Sequence, residues 1–141
     1  MSTWWEAAAG RAFVGRLGQG SDLVEEIERF CAEREIRAAW VSVIGAVRRA
    51  SFAYYDQEAA RYLPLGSETH HEITGFIGNI SIRDGHPFLH AHATFCDAAG
   101  AAIGGHLLRG CEIFAGEVTI REMTGVELER TPDEVTGLNL W

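Results

Sequence analysis

A chain of 141 residues and 15.5 kDa with 47% hydrophobic residues has the size and apolar content of one compact domain with a sizeable core. Its formal charge of −8 comes from 20 acidic and 12 basic residues, all of the latter arginine, and this balance disfavours nonspecific binding to nucleic acid or anionic membranes. No apolar run approaches the roughly 20 residues of a membrane-spanning helix and residues 1–6 lack a secretory pattern, so we expect a cytoplasmic protein without membrane contact.

The first part of the chain predicts a strand followed by a helix. Residues 1–10 are expected to form an N-terminal segment ahead of a domain that spans 11–141. Weak alternation over 11–17 predicts the first strand, and Ser21 is the predicted N-cap of the helix. Apolar residues then recur at helical spacing, at Leu23, Ile27, Phe30 and Cys31. We expect this helix to cover a sheet with that stripe.

The middle of the chain predicts β-structure. Two strands are expected at 38–47 and 50–55, and Gly45 is expected to mark a bulge or bend. Residues 61–63 predict a return strand that stops near Pro64.

Two hairpins and a long strand are expected in the rest of the chain. A strand is expected at 72–82. Asp84-Gly85 after it predicts a hairpin turn, because this dipeptide is favoured where two successive residues need positive φ. The strand predicted at 111–123 alternates throughout, so we expect Ile113 and Ala115 on the same face. The segment 136–141 is apolar enough to predict that it docks on the domain.

Three histidines on two short predicted strands are the main functional candidates. His90 and His92 alternate along one strand and therefore share a face. A three-residue loop at 98–100, ending in a glycine of positive φ, would set His92 directly opposite His106, on the same face. A two-residue loop would instead put His106 opposite Ala91, on the other face.

Convergence of these three imidazoles predicts a divalent metal site. Three neutral nitrogen ligands suit zinc or a similar ion and leave a position for water or substrate. We therefore expect one metal per subunit on His90, His92 and His106. The alternative is three separate, half-buried histidines hydrogen-bonded to backbone. Cys96 is at even spacing from His92 and is expected to pack rather than to bind the metal.

Other polar and aromatic residues are weaker candidates. His70, His71 and Glu72 form a second polar cluster that could face the metal, and Glu117 could accept the second N–H of a ligating histidine. If the metal were catalytic, the candidates for a general acid or base would be Glu117, Glu112, Glu72 or His71. Four aromatic side chains are expected to form one packing group in the core or at a subunit interface: Trp40, Phe52, Tyr54 and Tyr55. Cys31, Cys96 and Cys111 lack a Cys-x-x-Cys pair and are expected to be buried thiols.

Several segments together resemble one family. They are GSDLVE at 20–25, VSVIGAV at 41–47, GNIS at 78–81, FLHAH at 88–92, GGHLL at 104–108 with Gly110-Cys111, and TGLNL at 136–140. From about Val14 to Trp141 the chain thus resembles the plants-and-prokaryotes conserved domain, whose plant members carry an AT-hook beside it. The resemblance implies an α+β fold, a mostly antiparallel mixed sheet with one main helix, assembled as a homotrimer.

The resemblance also implies a function. Prokaryotic members are described as DNA-binding or regulatory domains, so a noncatalytic DNA-associated domain with a three-histidine zinc site is the leading hypothesis. This chain lacks an Arg-Gly-Arg-Pro segment, which with its acidic charge disfavours DNA binding. The two-strand arrangement is similar to that of zinc-dependent acetolactate decarboxylases, so the alternative is a zinc-dependent hydrolase or decarboxylase of a small acid. A structural interaction module is the second alternative.

Overall fold

The computed structural model describes residues 2–141 and shows a seven-stranded antiparallel sheet, a separate two-stranded sheet and a single α-helix in that part of the chain. The helix is α1 (Leu23–Glu33). The strands are β1 (Ala8–Leu17), β2 (Ala39–Asp56), β3 (Arg61–Ser67), β4 (His71–Arg83), β5 (His86–Cys96), β6 (Ala102–Leu107), β7 (Glu112–Thr124) and a separate small pair, β8 (Thr131–Pro132) and β9 (Asn139–Leu140). The predicted strand-rich fold with one covering helix is confirmed, and the first strand begins at Ala8 rather than at residue 11.

The long strand β2 organises the sheet. Its first half pairs with β7 and β4, and its second half pairs with β3 and β6. Because the order runs β1-β7-β2-β4-β5-β6 and β6 returns to β2, the strands β2, β4, β5 and β6 form a closed ring. These strand pairs are all antiparallel, and the parallel element among the described residues is an isolated bridge between Ile82 and Glu129.

The helix α1 has a different N-cap from the predicted one. Asp22, not Ser21, accepts hydrogen bonds from the backbone N–H groups of Val24 and Glu25, both at 3.0 Å. The Ser21 hydroxyl instead contacts the side chain of Glu26. The carboxylate of Asp22 has two acceptor oxygens, so it can also reach across to another segment, and the Gly110 N–H donates to it at 2.5 Å.

The core lies between α1 and the sheet. The predicted apolar stripe is buried at Leu23, Ile27 and Cys31, while Phe30 packs against the core edge. Fully buried partners from the strands include Val41, Ile80, Phe95 and Ile113. None of the described helices has the length and hydropathy that crossing a membrane requires.

The two strands predicted at 38–47 and 50–55 are one continuous strand, β2. Arg48 and Arg49, which separate the two predicted ranges, both lie in the strand with exposed side chains. Gly45 has a φ of +145°, and a Cβ there would lie 2.1 Å from the Ala115 carbonyl oxygen. Pairing with β4 is irregular between Val41 and Gly45. The irregularity predicted at this glycine is therefore confirmed, although it bends a strand instead of ending one.

Two other strand predictions need correction. β3 continues past Pro64 to Ser67, because β3 is an edge strand with β2 as its neighbour and such a strand tolerates a proline. In β7, Ile113 pairs with Val47 and Ala115 pairs with Ala46. Phe114 is thus an extra, bulged residue, and the expected regular alternation is wrong at this point.

The segment after β7 returns to the sheet, as predicted for 136–141. The Tyr55 hydroxyl donates to the Thr136 carbonyl oxygen at 2.7 Å, and the Arg130 Nη1 donates to the Asn139 carbonyl oxygen at 2.9 Å. The Trp141 ring lies edge-on to Trp5 with ring centroids 5.6 Å apart. These contacts place the last residues over the face of the sheet that carries the three histidines.

Candidate metal centre

The hairpin between β5 and β6 has the register that the three-histidine hypothesis requires. Gly100 adopts a φ of +80°, and the Asp97 N–H donates to the Ala101 carbonyl oxygen at 3.0 Å. His92 is directly opposite His106. The predicted three-residue loop and its register are both confirmed, and the alternative that separates the histidines is wrong.

Two glycines allow β6 to carry His106 to this position. β6 lies between β5 and the second half of β2, so its backbone approaches both neighbours closely. A Cβ at Gly104 would lie 2.1 Å from the Ala93 carbonyl oxygen, and one at Gly105 would lie 2.5 Å from the Ala53 carbonyl oxygen. The Gly104-Gly105 pair is therefore a steric requirement for the ring of strands that positions His106.

The three imidazoles form a compact cluster. Ring centroids are 5.4 Å apart for His90 and His92, 5.1 Å for His90 and His106, and 5.6 Å for His92 and His106. Each ring offers one nitrogen, and these three nitrogens lie within 4.8 Å of one another. The residues are thus close enough to hold one metal ion.

Burial controls the protonation of two of the three rings. Burial, followed by the charge of Arg130, lowers the pKa of His90 to about 4. Burial, followed by the proximity of His92, lowers the pKa of His106 to about 4. Both rings are therefore neutral at pH 7, the form that binds metals. The buried Nδ1 of His106 has no hydrogen-bond partner among the described residues, so this nitrogen is free to bind a ligand.

Arg130 lies beside the three histidines, and sequence reasoning did not single it out. Its guanidinium is buried and donates to Ser81 Oγ at 2.7 Å and to Asn79 Oδ1 at 3.0 Å. Its Nη2 also lies 3.4 Å from His90 Nδ1. Arg130 follows β7 in a segment without periodicity, and no local pattern relates it to residues some 40 positions earlier. The sequence also does not predict the position of the Asn79 side chain, because only the register between β4 and β5 places Asn79 opposite His90.

A small cavity opens between the histidines and the C-terminal segment. It measures about 120 Å³, and its walls include Tyr62, Arg83, Phe88, His90, His106, Arg130 and Leu138. The Tyr62 ring lies against the His106 ring with centroids 4.6 Å apart. Burial raises the pKa of the Tyr62 phenol, which therefore keeps its proton at neutral pH. We call this space the histidine cavity.

The second polar cluster is elsewhere in the protein. His71 is buried, and its Nδ1 lies 2.8 Å from the Thr69 carbonyl oxygen, while Glu72 pairs with Cys96 near the far end of β5. His70, His71, Glu72 and Cys96 line a separate surface groove beside Phe114. In this chain they do not face the three histidines.

The predicted acidic partners also lie away from the histidines. Glu117 is exposed on β7, opposite Arg16 of β1, and Glu112 forms an ion pair of 3.5 Å with Arg48. Neither lines the histidine cavity. Within this chain, the acid–base roles proposed for these carboxylates have no geometric support.

The expected aromatic group and buried thiols are partly as predicted. Phe52 stacks on Phe95 in the core with centroids 5.9 Å apart, whereas Trp40 and Tyr54 are exposed, so the four aromatic residues do not form one group.

Cys31 and Cys111 are buried free thiols, and burial raises their pKa values to about 12 and about 11 respectively.

The fold and the cluster together define a class: a small antiparallel sheet domain that presents three histidines on one face. A family model, the Plants and Prokaryotes Conserved (PCC) domain, matches residues 6–124. The chain belongs to this family, which confirms the predicted resemblance.

Solved structures support the same assignment. A metal-containing protein from Archaeoglobus fulgidus is 42% identical, with 99% of each chain covered and a TM-score of 0.95. A plant- and prokaryote-conserved protein from Pyrococcus horikoshii is 31% identical, with 99% of this chain and 96% of that one covered and a TM-score of 0.94. A candidate DNA-binding protein from Ralstonia eutropha JMP134 is 26% identical, with 90% and 88% covered and a TM-score of 0.80.

Curated relatives are much longer than this chain. The bifunctional protein GlmU of Synechococcus sp. (strain JA-3-3Ab) is 32% identical over 129 residues, which cover 90% of this chain and 20% of that protein. The chain thus spans about a fifth of the length of the curated relatives it matches.

Proposed function

We propose that this domain binds one divalent metal ion, zinc, per subunit through His90, His92 and His106. The observation that carries the proposal is the approach of the three ring nitrogens to within 4.8 Å of one another. For zinc–nitrogen bonds of about 2.0–2.1 Å, the three ring nitrogens must move slightly closer together, and rotation of the imidazole side chains allows this movement. The 42% identical relative described as metal-containing supports the proposal.

The chemistry of the donors also suits this ion. Neutral imidazole is a borderline ligand that favours zinc and similar first-row ions over magnesium or calcium. The buried, unpartnered His106 Nδ1 is a polar atom whose burial is costly unless something binds it. A bound zinc ion with three protein ligands would keep a fourth position open for water or a ligand. His92 is exposed, so the cluster is accessible to an incoming ion.

Metal content measured on purified protein tests this proposal. We expect about one zinc per wild-type chain by elemental analysis after extensive dialysis, and well under half of that for His90→Ala or His106→Ala. His86→Ala is the matched control, because His86 is exposed at the first position of β5, beside the turn and away from the three ligands, and it should keep full occupancy. Substoichiometric metal in the wild type, or equal occupancy in all variants, would contradict a three-histidine site.

We propose that this domain, with its metal ion bound, binds a ligand and does not catalyse a reaction. The described residues that line the histidine cavity include no carboxylate to act as a general base. The alternative, a zinc-dependent hydrolase or decarboxylase, is favoured by Tyr62, whose protonated phenol lies against His106 and could donate a proton. Chelation that abolishes turnover of a small ester or keto acid while leaving the fold intact would support the enzyme.

DNA association is the function that the Ralstonia relative's description suggests. The charges of this chain argue against it, since its net charge is −8 and half of its arginines lie within 4.0 Å of a carboxylate. These are Arg11, Arg29, Arg37, Arg48, Arg83 and Arg109. We expect no duplex binding at low micromolar protein and 50 mM salt, measured by fluorescence anisotropy. Binding that falls steeply as salt rises would establish a DNA-binding domain instead.

We also propose that the domain assembles as a homotrimer, as its family resemblance implies. Three large apolar side chains on the histidine face are exposed: Trp40, Ile44 and Ile77, which we call the outer patch. Trp40 is opposite Asn79, and Ile77 is opposite His92, so the patch is continuous with the histidines. Contiguous exposed apolar surface of this kind is typical of an interface between protein chains.

A further inference from the structure

Arg130 carries a positive charge that has no negative partner. Its relative exposure is 7%, and buried cations are normally paired with an acidic group. The groups that accept its hydrogen bonds are a hydroxyl, a backbone carbonyl and a side-chain amide, all of them neutral. None of the ion pairs among the described residues includes Arg130. The buried guanidinium is therefore solvated by dipoles without being neutralised.

The surroundings of Arg130 increase this charge imbalance. The Arg83 guanidinium lies 3.8 Å from the centroid of the Phe88 ring, and Arg130 lies 5.4 Å from the same centroid, so both cations border the histidine cavity. The ion-pair partner of Arg83, Asp84, is 4.0 Å away, is exposed to solvent and does not line the cavity. The lining residues described for that cavity include no aspartate or glutamate. The three imidazoles contribute no negative charge, and a divalent ion on them would add two positive charges.

The guanidinium also retains hydrogen-bonding capacity toward the cavity. Arginine has five N–H donors, and three are taken by Ser81, Asn139 and Asn79. The contact of Nη2 with His90 Nδ1 is long, at 3.4 Å. At least one N–H of Arg130, a residue that lines the cavity, is therefore without an acceptor at hydrogen-bond distance among the described residues.

We propose that the histidine cavity binds a small oxyanion, a carboxylate or phosphate group, which Arg130 holds beside the three histidines. The cavity volume of about 120 Å³ equals that of about four water molecules, so the anionic group fits while a longer ligand would extend through the opening. Phe88 and Leu138 supply apolar walls for the short carbon chain of an organic acid. In the metal-loaded protein the same anion neutralises both Arg130 and the ion, a part of the inference that rests on the proposed metal site.

Phosphate and acetate are the probes that test this proposal, with acetamide as the uncharged counterpart of acetate. Titrations of chelated and of zinc-loaded protein are followed by calorimetry and by the side-chain Nε–H signal of Arg130 in nitrogen-15 NMR spectra. We expect saturable binding of both anions in each form, tighter in the zinc-loaded form, a shift of the Arg130 signal, and no response to acetamide. Absence of a saturable shift in the wild-type protein overturns the proposal without any variant.

Substitution at Arg130 then locates the binding. Arg130→Met should weaken anion binding at least about tenfold, because a charge-assisted hydrogen bond is lost. Arg121→Met is the matched control, since Arg121 is exposed on β7, and it should bind anions as the wild type does. If Arg130→Met does not fold, Arg130→Lys keeps the charge without the planar fork and should bind more weakly than the wild type. Anion affinities that are equal in the wild type and the folded Arg130 variant overturn the proposal.

The two proposals fail in different ways in this design. Zinc that loads stoichiometrically without any anion binding contradicts the anion site and leaves the metal site standing. Anion binding to chelated protein that takes up no zinc supports the anion site and contradicts the metal site.

Discussion

At the scale of single residues, the sequence predicts the three histidines of the site but does not predict that Arg130 lies beside them. Alternation places His90 and His92 on one face, and the position of Gly100 in its loop determines that His106 joins them. Arg130 reaches the same site through long-range hydrogen bonds to Ser81 and Asn79 of β4. Local patterns could therefore find the ligand candidates and could not find the charge beside them.

The stability of the metal-free protein should depend on the protonation of His90 and His106. Both pKa values fall from about 6.5 to about 4 on folding, so the unfolded chain binds more protons between these values. The free energy of unfolding is therefore expected to be highest above pH 6.5 and to fall as the pH decreases toward 4. Urea unfolding of chelator-treated protein at pH 7.5, 6.5 and 5.5 measures this dependence.

A double variant isolates the contribution of these two rings. His90→Asn/His106→Asn should show a shallower decrease in unfolding free energy over the same pH range, because asparagine does not titrate. His86→Ala, which removes an exposed histidine, should follow the wild-type curve. If the double variant keeps the wild-type slope, the two rings are not held neutral by burial.

At the scale of single elements, the turns were predictable from the sequence, whereas the ends and irregularities of the strands were not. Asp84 and Gly85 have φ values of +52° and +80°, as the dipeptide predicts. The Phe114 bulge and the unbroken β2 depend on which strand lies alongside, and that information is not contained in a ten-residue window. β2 remains continuous through Arg48 and Arg49 because both side chains reach solvent and the backbone resumes pairing with β7 at Arg49, opposite Glu112.

The N-terminus of α1 provides a test of the corrected cap. Asp22→Ala removes the acceptor of the Val24 and Glu25 N–H groups and also frees the Gly110 N–H. We expect a loss of about 1–2 kcal/mol in the free energy of unfolding, measured with urea. Ser21→Ala, at the residue first predicted as the cap, should cost less. An equal or larger loss for Ser21→Ala would return the capping role to Ser21.

Gly104 links the geometry of β6 to the metal site. In Gly104→Ala the new methyl group would overlap the Ala93 carbonyl oxygen, 2.1 Å away, so β6 must move from β5 and carry His106 with it. We expect a destabilisation of about 1–3 kcal/mol together with reduced zinc occupancy. Gly75→Ala is the matched control, because a Cβ there meets its nearest neighbour at 3.7 Å and should leave zinc occupancy unchanged. Full zinc occupancy in Gly104→Ala would show that β6 tolerates the methyl group in place.

At the scale of the whole molecule, the closed ring of strands explains why one face of the sheet carries the three histidines, the histidine cavity and the outer patch. β6 must return to β2 for the ring to close, and the C-terminal segment then lies over that end of the face. The remaining part of the face is uncovered in a single chain, and it carries the outer patch. Only the strand order brings these regions together, which is why composition and periodicity predicted the elements but not this shared surface.

The outer patch makes a prediction about assembly. Ile77 is 63% exposed and pairs with His92, so in a homotrimer built on this face its side chain would be buried beside the metal site. Ile77→Glu would bury an unpaired charge there, and we expect the trimer to dissociate to chains of 15.5 kDa, measured by light scattering after gel filtration. Val135→Glu is the control, because Val135 is 93% exposed and lies outside the patch, and it should leave the mass at three chains. Trimeric Ile77→Glu protein would place the subunit interface on another surface, whereas a monomeric wild type would contradict the trimer itself.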